Sequence, residues 1–460
     1  AEIYAVFTNK CQQGACRGFG SEVTNFMIER IVDAAVEELN LDPIAFRHDN
    51  FIQPDEFPYQ IPTGNLYDSG NYPGALDMAQ QMLGYQDWRD KQSAARTQGR
   101  YVGIGVASCQ EKGVFSATEF WMLNRSPGFA LTSSPESASI KIDPTGKAVI
   151  SLHAPCWGNS PETVAAMVLA EQLTMDPADI NITYSDTDHG LPGTGPGGSR
   201  YTVMIAGAVT GAAAIIKEKL TRVAGHMLEA APHDLEFRQG KVGVKGAPGL
   251  EVSIGEIAMQ AHFFRLSLPD DPTLTSGLDA NYTYDHPLAT LPKGDGDFGI
   301  FYPIMGHMCH MPVVEVDAET GQVSFLDYVA VHDCGTMINP MTVDGHVRGG
   351  TAQGIGTALL EEFRYDHNGQ LLNTSFTDYL LPRVGNVPPQ VRIGHLVTPS
   401  PYTEYGVKGA GEGGRMVAPP AVISAIEDAL RPLGVRIDTV PVTPSRLRAL
   451  IREAEAKRSR

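Results

Sequence analysis

Apolar residues recur every three to four positions between Glu22 and Leu39, with polar residues between them. This period places the apolar side chains on one face of a helix, so the segment is predicted to form an amphipathic helix. Asp42 and Pro43 follow, and proline does not continue a helix. The helix is therefore expected to end before this pair.

A different pattern, the alternation of apolar and polar residues, occurs in two separate segments. In residues 139–150, apolar and polar side chains alternate on either side of the sequence D-P-T-G. Residues 314–323 repeat this pattern around a similar turn. Alternation has the two-residue period of a strand, and a glycine-containing turn between two such runs predicts a β-hairpin. The sequence therefore predicts two related hairpins.

Each predicted hairpin is followed by a polar loop that contains glycine and then by a helical pattern. The loops and helices are 157–160 before Pro161–Leu173, and 344–346 before Val347–Leu360. The repeated order indicates an internal duplication with two equivalent loops. If the two halves pack pseudo-symmetrically, Asn159 and His346 are expected to face one another across a shared cleft.

The composition is typical of a globular protein, with 42% hydrophobic and 19% charged residues. The formal net charge of −18 repels polyanions such as nucleic acid and anionic membrane surfaces. The longest apolar stretch, Met204–Ile216, is shorter than the roughly 20 residues that span a bilayer. We therefore expect neither a nucleic-acid partner nor a membrane span.

The six cysteines are scattered along the chain, at Cys11, Cys16, Cys109, Cys156, Cys309 and Cys334. They lack the close pairs that disulfide frameworks, zinc sites and iron–sulfur clusters use. This spacing is typical of a protein of the reducing cytoplasm. Any iron–sulfur cluster is expected on another chain.

Five glycines surround one glutamate in the segment Gly406–Gly414, which reads G-V-K-G-A-G-E-G-G. Glycine removes side-chain cover and allows positive φ, so the backbone can approach a bulky ligand while Glu412 projects into the remaining space. A helical pattern follows at Ala421–Leu430, and the first N–H groups of a helix have no partner within it. This arrangement predicts that Glu412 is a general base.

Two other interpretations of this segment are open. Gly409, Gly411 and Gly414 satisfy the G-x-G-x-x-G spacing of a dinucleotide-binding loop. That fold requires a strand directly before the loop, whereas residues 398–402 contain two prolines, which cannot donate to a sheet. A surface loop with an incidental glutamate is the second alternative.

Two further glycine-rich loops precede predicted helices. In the loop Gly193–Arg200, backbone N–H groups and Ser199 are suited to bind an anion or phosphate, and Arg200 adds charge. In the R-G-F-G loop, Arg17 and Phe19 can contact a flat or anionic ligand. The alternatives are a turn that allows tight helix packing and a hydrophobic staple.

Together and in order, these motifs resemble the molybdenum-cofactor-binding large subunit of the molybdenum hydroxylases, the xanthine dehydrogenase/aldehyde oxidase family. The resemblance extends from Arg17 to about Leu433. The matching motifs are R-G-F-G at 17–20 with Glu29, Asp42-Pro43, Arg47 and Asn50; D-T-D at 186–188 and G-S-R at 198–200; D-C-G at 333–335 with Asn339-Pro340 and Gly349-Gly350; Asp378-Tyr379; and the segment 406–414.

The resemblance implies an enzyme that hydroxylates an electron-poor carbon of an N-heteroaromatic or an aldehyde, with water as the oxygen source and a molybdenum–pterin cofactor. It implies that Glu412 takes the proton from the attacking hydroxyl, which as general-base catalysis contributes about 10²–10⁴-fold in rate. Phe19 would line the substrate funnel, and Arg17 would lie close to the ligands of the metal. No side chain of this chain is expected to bind the metal directly. The cofactor-binding residues that the resemblance implies are Gly18, Gly20, Gly158, Asn159, Gly198, Ser199, Arg200, His346, Gly409, Ala410 and Gly411.

The chain departs from the family pattern at both duplicated loops. It has Asn159 in a G-N-S sequence where the family often has G-Q-G, and it has His346 where glutamine is common. Both replacements keep hydrogen-bonding groups, with a shorter reach or a titratable ring, and a buried structural histidine is the alternative for His346. The copper-binding cysteine of the carbon monoxide dehydrogenase branch would fall near Gly18, and Cys16 lies two places earlier, so carbon monoxide is not the expected substrate.

The resemblance also implies an α+β fold, with two related elongated molybdopterin-binding domains built from mixed sheets, hairpins and packed helices. Residues 1–135 are expected to be the remainder of the first domain, and residues 136–460 to form the second domain with its internal duplication. The smaller α/β domain and the G-G-F-G-G-type loop that precede R-G-F-G in the family are not found in this sequence. A partner chain is therefore expected to supply the upstream part of the molybdenum subunit.

The implied cofactor is molybdenum with molybdopterin in its cytosine dinucleotide form. The 2Fe–2S clusters and FAD are expected on separate iron–sulfur and flavin subunits of the complex. Two other function classes stay open: a non-catalytic cofactor-carrying or assembly subunit, and an NAD-linked dehydrogenase that uses Gly409–Gly414. Molybdenum content separates the first alternative from the enzyme, and nicotinamide binding by this chain alone tests the second.

Overall fold

A computed structural model describes Tyr4 and residues 6–12, 14–115, 134–153, 155–186, 188, 190–191, 193–271, 274, 277–288 and 299–458. Thr187 of the D-T-D motif lies outside the described residues. Within the described part, no helix combines the length and the apolar content needed to cross a bilayer.

The fold combines helices with several small sheets. The helices of the described residues are α1 (Ser21–Glu38), α2 (Pro43–Asn50), α3 (Tyr72–Leu83), α4 (Tyr85–Thr97), α5 (Pro161–Leu173), α6 (Tyr201–Met227), α7 (Ile254–Phe263), α8 (Pro340–Leu359), α9 (Gly413–Leu430) and α10 (Pro444–Arg458). The strands are β1 (Tyr59–Gln60), β2 (Leu66–Tyr67), β3 (Tyr101–Ile104), β4 (Ala107–Gly113), β5 (Glu136–Ile142), β6 (Ala148–Leu152), β7 (Ile180–Tyr184), β8 (Leu235–Arg238), β9 (Lys241–Val244), β10 (Glu251–Ser253), β11 (Asp279–Tyr284), β12 (Ile304–Val316), β13 (Val323–Asp333) and β14 (Arg392–Leu396).

The first large sheet contains the first predicted hairpin. Its strand order is β11-β5-β6-β7, and β5 pairs antiparallel with β6. The turn between them is stabilised by Asp143, whose Oδ1 accepts the N–H groups of Thr145 at 2.8 Å and Lys147 at 3.1 Å. Helix α5 then carries the chain to β7, which pairs parallel with β6. The predicted hairpin and helix are confirmed.

The second large sheet contains the second predicted hairpin. Its order is β14-β13-β12-β3, and β4 also pairs with β12. Strands β12 and β13 are antiparallel, and helix α8 leads to β14, which pairs parallel with β13. The two sheets therefore share the order hairpin, helix, parallel strand. The α+β class with mixed sheets, hairpins and packed helices is confirmed, while the domain boundary at residue 135 stays a prediction.

Helix α8 begins earlier than its apolar pattern predicts. The prediction placed the start at Val347, after a loop that includes His346, and this was wrong because the helix already starts at Pro340. The side chain of Asn339 caps the helix by accepting the N–H of Thr342, and proline at the first helical position is already fixed in a helical φ. His346 therefore lies within a helix.

Helix α9 likewise begins at Gly413, before the predicted Ala421, and it lies unusually close to the second sheet. A Cβ atom at Gly103 would lie 2.0 Å from the carbonyl oxygen of Ala425, and one at Gly105 would lie 2.1 Å from that of Ala421. Only glycine allows this approach of backbone to backbone. This backbone contact holds α9 against the second sheet, and the N-terminus of α9, which follows Glu412, lies beside β4.

Candidate active site

The glycine loop 406–414 runs along the end of strand β13. The N–H of Lys408 donates to the carbonyl of Cys334 at 2.8 Å, and Val407 forms an isolated bridge with Gly335. A Cβ at Gly335 would lie 2.2 Å from the carbonyl oxygen of Gly406, so the two glycine-rich segments pack backbone against backbone. The D-C-G motif therefore holds the loop in place.

Glu412 lies at the end of this loop and is the N-cap residue of α9. Its side chain is buried, and Oε1 accepts the N–H of Gly18 at 2.9 Å. Oε2 is also buried, and no described residue donates a hydrogen bond to it. Burial raises the pKa of Glu412, and the Gly18 N–H, the charge of Lys112, the nearby Ser199 hydroxyl and the charge of Arg17 offset only part of this rise. A carboxylate with one fixed and one free oxygen is suited to accept a proton.

Arg17 links the R-G-F-G loop to helix α8 and to the glycine loop. Its guanidinium donates to the carbonyl of Gly411, to Oε1 of Gln353 at 3.1 Å and to the carbonyl of His346 at 3.1 Å. The same group lies 3.3 Å from Nδ1 of His346. Arginine has only donors, so Nδ1 accepts and the histidine hydrogen is on Nε2. Burial, and next the charge of Arg17, lower the pKa of His346 and favour this neutral ring.

Phe19 lies between two glycines with positive φ, Gly18 at +96° and Gly20 at +103°. The ammonium of Lys112 is 4.0 Å from the centre of the Phe19 ring and 5.0 Å from that of Tyr302, which is cation–π geometry. A cavity of about 430 Å³ opens beside Lys112 and is lined also by aromatic and sulfur-containing side chains. Phe19 and Lys112 therefore lie at the same edge of the site.

The loop before α6 packs directly on the glycine loop. A Cβ at Gly409 would lie 2.3 Å from the carbonyl oxygen of Ser199, and one at Gly411 would lie 3.1 Å from its Oγ. Gly198 has a φ of +80°, and a Cβ there would lie 3.1 Å from the ring of Phe115. The structure thus brings Ser199, Gly409 and Gly411 together beside Glu412, and their role in cofactor binding stays a prediction.

Arg200 is fully buried and points away from the glycine loop. Its guanidinium contacts Oε1 of Glu136 at 2.8 Å and donates to the carbonyl of Ser134. The same carboxylate oxygen accepts the N–H of Thr194 at 2.7 Å. The charge of Arg200 is neutralised inside the protein, so this side chain holds the shape of the loop that carries Ser199.

The first duplicated loop is separate from these residues. Gly158 is exposed and adopts a φ of +84°, and Oδ1 of Asn159 accepts the N–H of Trp157 at 3.0 Å. Among the described residues, no hydrogen bond joins Gly158 or Asn159 to the residues around Glu412. His346 contacts Arg17, and the opposition of Asn159 and His346 across a shared cleft stays a prediction.

Glu111 was not identified by the sequence analysis, although it is central to the site. It lies in β4, it is completely buried, and its Oε1 accepts the N–H of Glu412 at 2.6 Å and the hydroxyl of Ser199. Burial, and next the charge of Glu412, raise the pKa of Glu111 to about 6. The sequence feature that could have identified Glu111 was its position in the alternating pattern of this strand, where it lies on the same face as Ala107 and Cys109.

Comparison with known proteins decides the family of this chain. A family model described as a molybdopterin cofactor-binding domain matches residues 78–388, and a second model with the same description matches residues 1–51. The chain belongs to the molybdenum hydroxylase large-subunit family. The resemblance predicted from the sequence motifs is confirmed. Molybdenum carried by molybdopterin is the cofactor of this molybdenum hydroxylase chain.

The molybdenum hydroxylase chain is 33% identical over 440 residues to the nicotine 6-hydroxylase large subunit of Paenarthrobacter nicotinovorans. The matched region covers 96% of this chain and 51% of that protein. It is 34% identical over 435 residues to the carbon monoxide dehydrogenase large chain of Afipia carboxidovorans, with coverage of 93% and 51%. The crystal structure of quinoline 2-oxidoreductase from Pseudomonas putida 86 superposes with a TM-score of 0.86 at 37% identity, covering 97% of this chain and 54% of that chain. The chain thus spans about half the length of the curated relatives it matches.

The residues of this molybdenum hydroxylase site fit a large cofactor with polar groups. A buried carboxylate oxygen without a partner, such as Oε2 of Glu412, is costly unless a ligand or water satisfies it. Gly409 is buried against Ser199, whereas the backbone of Ala410 and Gly411 before Glu412 is half-buried and has no bulky side chain, which allows a ligand to approach closely. These two features fit a pterin-borne metal centre.

Proposed function

We propose that this chain forms the molybdenum-cofactor-containing catalytic part of a multi-subunit hydroxylase. The enzyme oxidises an electron-poor carbon of an N-heteroaromatic or an aldehyde and takes its oxygen from water. The observation that carries the proposal is the carboxylate of Glu412, which has Oε1 fixed by Gly18 and Oε2 buried without a partner. Relatives named as hydroxylase and dehydrogenase large subunits support the reaction class.

When bound, the molybdenum–pterin cofactor supplies two-electron redox chemistry and Lewis acidity. Glu412 accepts the proton of the reacting water at Oε2, while the N–H of Gly18 keeps Oε1 in place. Its pKa, raised by burial, brings the carboxylate nearer to the proton affinity that a general base needs at neutral pH. The buried position also keeps bulk water away from the free oxygen.

Phe19 lines the path of the substrate to this oxygen, and Arg17 lies near the ligands of the metal. We assign cofactor binding to backbone and side-chain groups of Gly18, Gly20, Gly158, Asn159, Gly198, Ser199, Arg200, His346, Gly409, Ala410 and Gly411. For Arg200 the role is indirect, because its charge is already paired with Glu136. For Asn159 the assignment requires a ligand long enough to reach a loop that is separate from Glu412.

The cytosine dinucleotide form of the cofactor, the partner chain with the upstream part of the site, and the iron–sulfur and flavin subunits belong to this proposal. Their support is that the relatives are named as subunits of larger complexes, and that this chain spans about half of their length. An inventory of subunits and cofactors by native mass spectrometry tests these assignments together.

The substitution Glu412→Gln tests the catalytic role. We expect turnover of heteroaromatic or aldehyde substrates to fall by about 10²–10⁴-fold, because the amide cannot accept the proton. Molybdenum content is expected to stay near one per chain, as in the wild type. Retention of most activity would remove Glu412 from the mechanism. Absence of molybdenum from the native complex would instead favour a non-catalytic assembly subunit.

A further inference from the structure

The side chain of Glu111 is hydrogen-bonded to the backbone of the second carboxylate residue in this site, Glu412. The N–H of Glu412 donates to Oε1 of Glu111 at 2.6 Å, and the hydroxyl of Ser199 donates to the same oxygen. Oε2 of Glu111 is buried beside the backbone of Gly413, whose N–H lowers the pKa of the carboxylate and offsets part of the effect of burial. The Glu111 side chain of β4 therefore binds both the backbone of Glu412 and the loop that carries Ser199.

Burying the carboxylate of Glu111 costs free energy, and a functional role for this side chain would explain why it is buried. The side chain is completely buried in the middle of a strand, and none of the ion pairs formed by the described residues includes it. Its nearest acidic neighbour is Glu412, whose charge repels its own. The charge of Glu111 acts on Arg17, although the two side chains form no ion pair among the described residues, and burial disfavours the charged form of the carboxylate.

We propose that Glu111 is a positioning residue for Glu412, which fixes the backbone of the base and sets, by its own charge, the pH at which the base is ionised. This inference rests on the proposed function, because it needs Glu412 to be the general base. It adds a residue that acts through Glu412 and that touches no reacting atom. The hydrogen bond to the Glu412 N–H fixes the backbone of the base. Repulsion between the two nearby carboxylates couples their ionisation.

The other groups that face the pair come from each neighbouring element. Arg17 of the R-G-F-G loop feels the charges of both carboxylates, and Lys112 of β4 acts on Glu412. The thiols of Cys109 and Cys334 lie close enough for Glu111 to raise the pKa of each, after burial, which is the main cause. Both thiols stay neutral at the pH at which the carboxylates titrate, so the two carboxylates and these two cations set the local charge.

The substitution Glu111→Gln separates the two parts of this role. Glutamine keeps an oxygen that can accept the Glu412 N–H, while it removes the negative charge. In the purified native complex, we expect molybdenum content to be unchanged and the acid limb of kcat/KM to move to lower pH, since a like charge near a carboxylate raises its pKa. Glu111→Ala removes the acceptor too, and kcat is expected to fall by about 10–100-fold from misplacement of the base.

Glu319→Gln is the matched control, because it makes the same chemical change in the exposed turn between β12 and β13, where the side chain is 89% exposed. It is expected to leave both the acid limb and kcat unchanged. If Glu111→Gln also leaves the acid limb where it is in the wild type, the proposed coupling is wrong. This decision does not depend on whether Glu111→Ala folds.

A measurement without turnover distinguishes failure of this inference from failure of the proposed function. A carboxylate whose pKa is raised to about 6 from an ordinary value of 4.5 makes the folded state less stable as pH rises through that window. The buried histidines act in the opposite direction over the same range in all three proteins, so the proteins are compared with one another. In thermal unfolding, the stability of the wild type relative to Glu111→Gln is expected to fall as pH rises through this window, and Glu412→Gln is expected to show the same relative loss at lower pH. Identical pH profiles for the three proteins would overturn the coupling even if Glu412 proves essential for turnover.

Discussion

The N–H of Gly18 lies 2.9 Å from Oε1 of Glu412, although 394 positions of sequence separate the two residues. Through this bond, the orientation of the base depends on a loop whose two glycines, Gly18 and Gly20, adopt positive φ angles that side chains disfavour. It also leaves Oε2 of Glu412 as the free oxygen of the carboxylate.

Gly18→Ala is expected to reduce activity more than Gly20→Ala. Both glycines have positive φ, at +96° and +103°, so both substitutions strain the backbone to a similar extent. A Cβ at position 18 would also lie 2.7 Å from Oε2 of Glu22, whereas one at position 20 meets nothing within 4 Å. The difference in kcat between the two variants therefore measures displacement of the Gly18 N–H. Equal losses would show that strain alone controls the loop.

Arg17→Lys is expected to weaken both activity and cofactor retention. The guanidinium contacts Gly411, Gln353 and His346 at once, and a lysine ammonium cannot make this set of fixed contacts. Loss of one charged hydrogen bond costs about 1.5–3 kcal/mol. Turnover and molybdenum content after gel filtration are the measurements. Arg348→Lys, on the exposed side of α8, is the matched control and is expected to behave as the wild type.

Arg200→Met is expected to destabilise the protein by about 3–5 kcal/mol, because it leaves the buried carboxylate of Glu136 without its cation. The free energy of unfolding from denaturant titration measures the effect. Lys147→Met breaks the ion pair with Asp179, whose two side chains are 54% and 49% exposed, and is expected to change stability little. A small effect of Arg200→Met would mean that water reaches Glu136 and replaces the cation.

Stability is expected to fall as the pH drops from about 6.5 towards 3, in part because of the buried histidines. Burial lowers the pKa of His310 from its ordinary value of 6.5 to about 3, so the unfolded state takes up a proton in this range and the folded state does not. Each such histidine contributes about 1.4 kcal/mol per pH unit. His310→Gln is expected to reduce the slope of the unfolding free energy against pH. His233→Gln, whose side chain is 82% exposed, is expected to leave that slope unchanged.

Local rules of sequence were sufficient for the two hairpins and for helices α1 and α5. The turn after β5 forms because Asp143 bonds to backbone groups two and four residues ahead, which depends only on nearby positions. The start of α8 was missed because Gly345 and its neighbours have low intrinsic helix propensity. A Cβ at Gly345 would meet nothing within 4 Å, whereas one at Gly350, further along the same helix, would lie 3.0 Å from the backbone of Arg415 and from that of Gly414.

The sequence by itself determined where glycine-rich segments lie and that the segment 406–414 contains a single carboxylate, Glu412, because glycine content can be read locally. Only the tertiary structure decided which groups meet that carboxylate. Glu111 and Glu412 are 301 positions apart, and no periodicity records that a strand and a helix N-terminus will share a hydrogen bond. The pairing of Arg200 with Glu136 was hidden for the same reason, since the partner of a buried charge is chosen by packing between distant segments.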